Sequence, residues 1–164
     1  MSATEGITIE LVPSATEDVR GLVAELDQTL SAEYPPEQRH GLALEAIFKP
    51  GVRFFLARLN GAAVGCGGVA LFAGFAEVKR MYVRDVARGR GVAQALLARI
   101  EREVQDAGLP LLLLETGVRQ TAALRFYQRA GFQICEAFGA YSTMAPLAVA
   151  TSIFLQKQLG AAPT

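Results

Sequence analysis

The sequence predicts an α/β fold, a mixed and mostly antiparallel central sheet with helices on both faces, and three segments carry that prediction. Asn60-Gly61 lies between two runs of strand character, Arg53–Leu59 and Ala62–Ala70. Both central residues of a type I′ turn need positive φ, so this pair predicts a hairpin. Gly91–Ala107 repeats Val92, Leu96, Ile100 and Val104 at one-turn spacing, turns Arg99, Arg102, Glu103 and Asp106 elsewhere, and is closed by Gly108. That is an amphipathic helix with its stop. Leu111–Leu114 is an unbroken apolar run, as expected of a strand covered on both faces.

The remaining elements follow in order. Ile7–Leu11 alternates as a strand does, and Ser14 with Glu17 forms a capping-box pattern. The helix it opens runs through Val19, Leu22, Val23, Leu26 and Leu30. Pro35-Pro36 breaks the chain, and a second helix is expected from Glu37 to Phe48, stopped by Pro50. Ala76–Val83 is a strand; strict alternation places Glu77, Lys79, Met81 and Val83 on one face and Val78, Arg80 and Tyr82 on the other. Thr121–Ala130 is a helix stopped by Gly131, and Phe132–Ala137 and Thr151–Gln158 are closing strands. The order is βααβββαβαββ. No repeat or linker divides the chain, so residues 1–164 are expected to form one domain.

Composition narrows the function. Hydrophobic residues make up 51% and charged residues 20%, which is a globular balance. Sixteen basic residues offset sixteen acidic ones, so a nucleic-acid partner is not expected. The charge is uneven, however: Lys79, Arg80, Arg84, Arg88 and Arg90 fall within fifteen positions. A neutral chain with one basic cluster suits a compact anionic ligand. Met1–Glu5 has neither the basic region nor the apolar core of a leader, and the uncharged stretches Gly61–Ala76 and Ala137–Gln156 are broken by glycines and polar residues. No membrane association and a cytoplasmic location are expected. Cys66 and Cys135 fit neither a disulfide framework nor a metal site, and both are expected to be buried small hydrophobes. His40, the only histidine, is expected at the surface.

The chemistry-bearing stretch is the strand ending Met81-Tyr82-Val83, the loop Arg84–Gly91 and the helix that follows. First-turn amides of a helix lack internal partners and carry partial positive charge, so they form an anion site. Gly89 and Gly91 let the backbone approach a ligand, and Arg88 and Arg90 add charge-assisted bonds suited to a diphosphate. A Walker A ending is absent, and Gln94 stands where a dinucleotide fingerprint needs its third glycine.

Arg88-x-x-Gly91-x-Ala93 resembles the Gln/Arg-x-x-Gly-x-Gly/Ala signature of the GNAT superfamily of N-acetyltransferases, and it stands between a strand and a helix as that signature does. Ala123 to Tyr127 to Gly131-Phe132 resembles the superfamily's second hallmark, in the right order. The resemblance implies acetyl-CoA as cosubstrate and no metal. It implies that the Met81, Tyr82 and Val83 backbone pairs with the pantetheine arm, while amides from Arg88, Gly89, Arg90, Gly91, Val92 and Ala93 hold the diphosphate. Gln120 stands where the family often has an asparagine that contacts the cofactor.

The resemblance also gives Tyr127 as the acid for the departing thiolate; the alternative is a core tyrosine. Glu77 is the candidate base, and a strand-end glutamate paired with Lys79 is the competing reading. Backbone amides near Met81 or Val83 are the implied oxyanion donors. Glu33, Tyr34 and Tyr141 are candidates for the border of the acceptor pocket. The expected reaction is direct acetyl transfer to the primary amine of a small molecule, with a protein amine as an alternative acceptor. A non-catalytic acetyl-CoA sensor remains the alternative, and the fold type admits a homodimer.

Overall fold

The structure, a computed structural model, describes residues 6–160, so the expectation for Met1–Glu5 lies outside the described residues. Seven strands make one sheet: β1 (Ile7–Leu11), β2 (Val52–Leu59), β3 (Ala62–Leu71), β4 (Ala76–Val83), β5 (Leu111–Gly117), β6 (Gln133–Cys135) and β7 (Ser152–Gln158). Their spatial order is β1-β2-β3-β4-β5-β7-β6. Every neighbouring pair is antiparallel except β4 and β5. The β2–β3 turn is the expected hairpin: Asn60 has φ 51° and Gly61 φ 89°. The single parallel pair needs a crossover, supplied by α3 (Val92–Asp106).

Helices cover both faces. On one side Leu96, Ile100 and Val104 of α3 pack with Phe55, Val69, Val78, Leu112 and Leu114, and Tyr127 of α4 (Thr121–Arg129) joins them. On the other side Val19, Leu22 and Val23 of α1 (Glu17–Glu33) pack with Phe54, Leu56 and Cys66.

Two expected helix features differ. The cap of α1 is Thr16, not Ser14: its side-chain oxygen accepts from the Val19 amide at 3.3 Å. A cap must directly precede the first helical residue, and Ser14 instead closes a tight turn through its carbonyl to the Thr16 amide. The helix expected over 37–48 is a 3₁₀ turn, Pro36–Gln38, then extended chain and one helical turn, α2 (Leu44–Ile47). Distant partners take the polar groups that a helix would need locally. Gln38 Nε2 donates to the Leu147 carbonyl and accepts from Thr151 through Oε1, while the His40 ring bonds the Ala148 carbonyl. Those partners lie around a further single turn, α5 (Pro146–Val149), that the sequence pattern did not reveal.

Strand β4 departs from simple alternation. Val69 faces Val78 and Gly68 faces Lys79, but Cys66 faces Tyr82, so Arg80 and Met81 share the place opposite Gly67. Arg80 sits at φ 57°. This β-bulge shifts the phase by one residue. Met81 and Val83 therefore join Ala76 and Val78 on the α3 side, whereas Glu77 and Lys79 share the other face with Tyr82. The face assignment expected from alternation is corrected accordingly.

Candidate active site

Strands β4 and β5 are in register only at Ala76↔Leu112 and Glu77↔Leu113. Beyond that point they part, and two clefts open where they separate. The larger, about 700 Å³, runs from Met81, Tyr82 and Val83 to the α3 loop. The smaller, about 150 Å³, is bordered by Tyr34, Glu77, Lys79, Glu115 and Tyr141. Leu26, Met81, Gln120, Ala123 and Tyr127 line both, so the two clefts meet beside Tyr127.

The floor of the larger cleft follows from local sequence. Ala87, 1% exposed, pins a 3₁₀ turn (Asp85–Ala87), and the chain then enters α3 through Gly91, its N-cap, at φ 85°. A side chain at that φ would be strained, so glycine is required. The first intrahelical bond runs from the Ala95 amide to the Gly91 carbonyl, leaving the amides of Val92, Ala93 and Gln94 without helical partners. Arg88, Gly89, Gly91, Val92, Ala93 and Gln120 all line this cleft. Arg90 is exposed and does not line it. Arg119 and Arg129 line it too, so the cleft joins unpaired amides to guanidinium groups. That donor set suits a diphosphate and fits coenzyme A.

Tyr127 is 5% exposed and stands edge-on to Phe126 and Phe132, with ring centroids 5.2 and 5.4 Å away. Burial raises its pKa well above that of a free phenol. The same side chain lines both clefts. Packing and proximity to the cleft thus coexist in this side chain.

Glu77, 5% exposed, accepts from the Tyr141 hydroxyl at 2.6 Å and from Lys79 Nζ at 3.1 Å. Lys79 also donates to the Tyr141 oxygen at 2.9 Å and to the His40 carbonyl at 3.1 Å. Burial, and then the neighbouring Glu77 charge, hold the Tyr141 phenol far above its ordinary range. The Lys79 pairing expected as the competing reading is therefore present, in the same cluster that lines the smaller cleft.

Tyr34 lines that cleft, buried, with its hydroxyl accepting from the Arg119 amide at 2.9 Å. Glu33 does not; it borders the larger cleft, and its carbonyl accepts from Arg119 Nη1 at 2.8 Å. The Tyr82 side chain turns toward α1 and donates to Glu25 at 3.1 Å.

His40, expected at the surface, is half-buried on the smaller cleft, with its ring 5.4 Å edge-on from Tyr141. Its Nε2 is 2.7 Å from the Ala148 carbonyl, which requires that nitrogen to carry the proton. Sequence reasoning also missed Glu115 and Arg39, which line the same cleft. Glu115 had a signal, as the acidic residue ending the run Leu111–Leu114. Its carboxylate accepts from Ser152 Oγ at 2.6 Å, and burial raises its pKa.

Cys66 is fully buried, with its thiol 3.4 Å from the Arg80 carbonyl and pushed up to about 12 by burial. Cys135, expected to be buried, is half-exposed because β6 is the sheet edge. Iodoacetamide at pH 8 should label Cys135 in the folded protein and reach Cys66 only after unfolding. Rapid loss of both thiols under native conditions, read by mass spectrometry, would contradict this burial. Among the described residues no cluster could hold a metal ion, and no helix is long and apolar enough to cross a membrane.

Comparison with known proteins agrees with this geometry. The model of the Acetyltransferase (GNAT) family matches residues 21–132. An IAA acetyltransferase of Azospirillum brasilense is 42% identical over 155 residues, 93% of this chain and 98% of that protein. The aminoalkylphosphonate N-acetyltransferase of Salmonella typhimurium is 31% identical, over 76% of this chain and 84% of its own. A crystal structure from Klebsiella pneumoniae, provisionally assigned as an acyl-CoA N-acyltransferase, superposes with a TM-score of 0.74 at 32% identity, covering 97% of this chain and all of its own. With its strand–loop–helix anion site and the parting of β4 from β5, this chain belongs to the GNAT family of acetyl-CoA-dependent acyltransferases.

Proposed function

We propose that the chain transfers the acetyl group of acetyl-CoA directly to the primary amine of a small molecule, within one catalytic domain. The observation that carries this reading is the meeting of two clefts beside Tyr127: one suited to coenzyme A, the other small and lined with ionisable groups. In this reading the amine enters from the smaller cleft and attacks the thioester carbonyl. A nitrogen–carbon bond forms, the carbon–sulfur bond breaks, the amine gives up a proton, and the thiolate takes one. Glu77 takes the amine proton through the cluster it shares with Lys79 and Tyr141, and Tyr127 supplies the thiolate. Amides near the β4 bulge stabilise the oxyanion. No covalent enzyme intermediate is needed, since no cysteine lines either cleft. The small size of the acceptor cleft, and a related protein that acetylates aminoalkylphosphonates, support a small-molecule acceptor over a protein.

The cofactor half of this reading is tested by thermal unfolding. Acetyl-CoA should raise the melting temperature, as a ligand selective for the folded state must. Dephospho-CoA should keep most of the effect and acetyl-pantetheine little of it, because the α3 amides hold the diphosphate. Equal stabilisation by acetyl-pantetheine would remove the loop from the binding site. The transferase half is tested by thiol release with a panel of amines; stabilisation without release from any amine would leave a sensor.

A further inference from the structure

Most charges around the smaller cleft are matched within the protein. Lys79 pairs with Glu77, and Arg80 pairs with Asp27 of α1. Two are not. Arg39 makes no hydrogen bond or ion pair with a described residue, and its Nε is buried without an acceptor. Arg80 Nε, in a side chain 4% exposed, is likewise buried and unpartnered. Opposite in sign, Glu115 makes no ion pair among the described residues, and its carboxylate bonds the Ser152 hydroxyl. A buried guanidinium N–H left unpaired costs free energy, and more so because the group is charged. A site built for an uncharged amine gives no reason to keep an unpaired arginine on its wall.

We infer that the acceptor is a small amino acid-like zwitterion, whose acid group is held by Arg39 beside Arg80 while its amine lies toward Glu115 and Glu77. The shared chemistry of the acid is a planar or tetrahedral oxyanion, carboxylate or phosphonate, and the guanidinium fork binds either. The amine must still lose a proton before it attacks, and the carboxylates on that side of the cleft are where the proton goes. Burial that raises the Glu115 pKa makes it a better acceptor of that proton and is relieved when a cation arrives. This inference rests on the acetyl-transfer reading above and adds the class of acceptor.

The test is a matched series with acetyl-CoA: glycine, β-alanine and aminomethylphosphonate, against their uncharged amides or esters and simple alkylamines. Acid-bearing amines should exceed their neutral counterparts in kcat/KM by about 10- to 100-fold, the range expected for a charge-assisted hydrogen bond. Arg39→Gln should collapse that ratio, mainly by raising KM for the acids; Arg39→Lys should restore part of it. Arg125→Gln, on the exposed face of α4, should leave the ratio as it is. The carboxylate and phosphonate arms decide which oxyanion the site prefers. Neutral amines turned over as well as the acids, with a ratio insensitive to Arg39→Gln, would overturn the inference while acetyl transfer stands. Absence of turnover with every amine would fail the transfer reading instead. Calorimetric binding of the same amines to the CoA-loaded protein then decides the inference: acid-selective binding lost in Arg39→Gln upholds it, and unselective binding or none rejects it.

Discussion

Tyr127→Phe is expected to lower kcat by about 10²–10⁴-fold, the usual contribution of a positioned general acid. The substitution removes one oxygen and keeps the ring that packs against Phe126 and Phe132, so the melting temperature should hardly move. Burial weakens this phenol as an acid. The same dry surroundings raise the basicity of a departing thiolate beside it, so the pair stays matched. Because its pKa lies above the working range, the phenol remains protonated there and ready to donate. The deficit should fall on kcat, with the acetyl-CoA dissociation constant nearly constant, since the hydroxyl matters most as the carbon–sulfur bond breaks. A thioester with a more acidic thiol should recover part of the loss. Near-normal kcat would make Tyr127 a packing residue and leave the proton to water.

Glu77→Gln carries the second large effect, and it has two parts that one variant cannot separate. It removes a carboxylate from between Lys79 and Tyr141, leaving an ammonium whose side chain is 12% exposed without its counter-charge. Breaking a buried pair from one side commonly costs about 3–5 kcal/mol, so the melting temperature should fall. Loss of a general base should also depress turnover by about 10²–10⁴-fold. The double variant Glu77→Gln with Lys79→Met removes both charges together. Stability should then largely return, because no unpaired charge remains, while turnover should stay low. Recovery of turnover together with stability would show that Glu77 serves only to neutralise Lys79. The loss should be steepest at low pH, where the acceptor amine is most protonated and needs the base most.

The smaller cleft is assembled from segments far apart in the chain. Tyr141, in the 3₁₀ turn before α5, touches Glu77 and Lys79 of β4, and His40 reaches Ala148. Glu115 on β5 and Ser152 on β7 meet through strand pairing, near the Gly117↔Ser152 register. The cofactor side is more local. The stretch from Met81 to Gln94 supplies about half of the residues lining the larger cleft, which is why that half was visible as a motif.

The sequence by itself determined what depends on neighbours along the chain. The Asn60-Gly61 turn needs two positive φ values, the α3 stripe needs a 3.6-residue period, and the Gly91 cap needs a left-handed residue; each requirement is met locally and was realised. Tyr127 and the loop residues Arg88 to Ala93, Arg90 excepted, line the cleft that the motif implied. Tertiary structure decided the rest. The Arg80 bulge reversed the face of Met81 and Val83, because an extra residue in one strand is defined only against its partner, here Gly67. The segment 37–48 gave up its helix because hydrogen bonds to residues more than a hundred positions away replaced local ones. Arg39 and His40 carried no local pattern, and Glu115 only its place at the end of an apolar run; they became a constellation only when α1, β4, β5 and the Tyr141 turn closed around one small cleft. Charge complementarity is a property of distances in space, and a chain written in one dimension does not hold them.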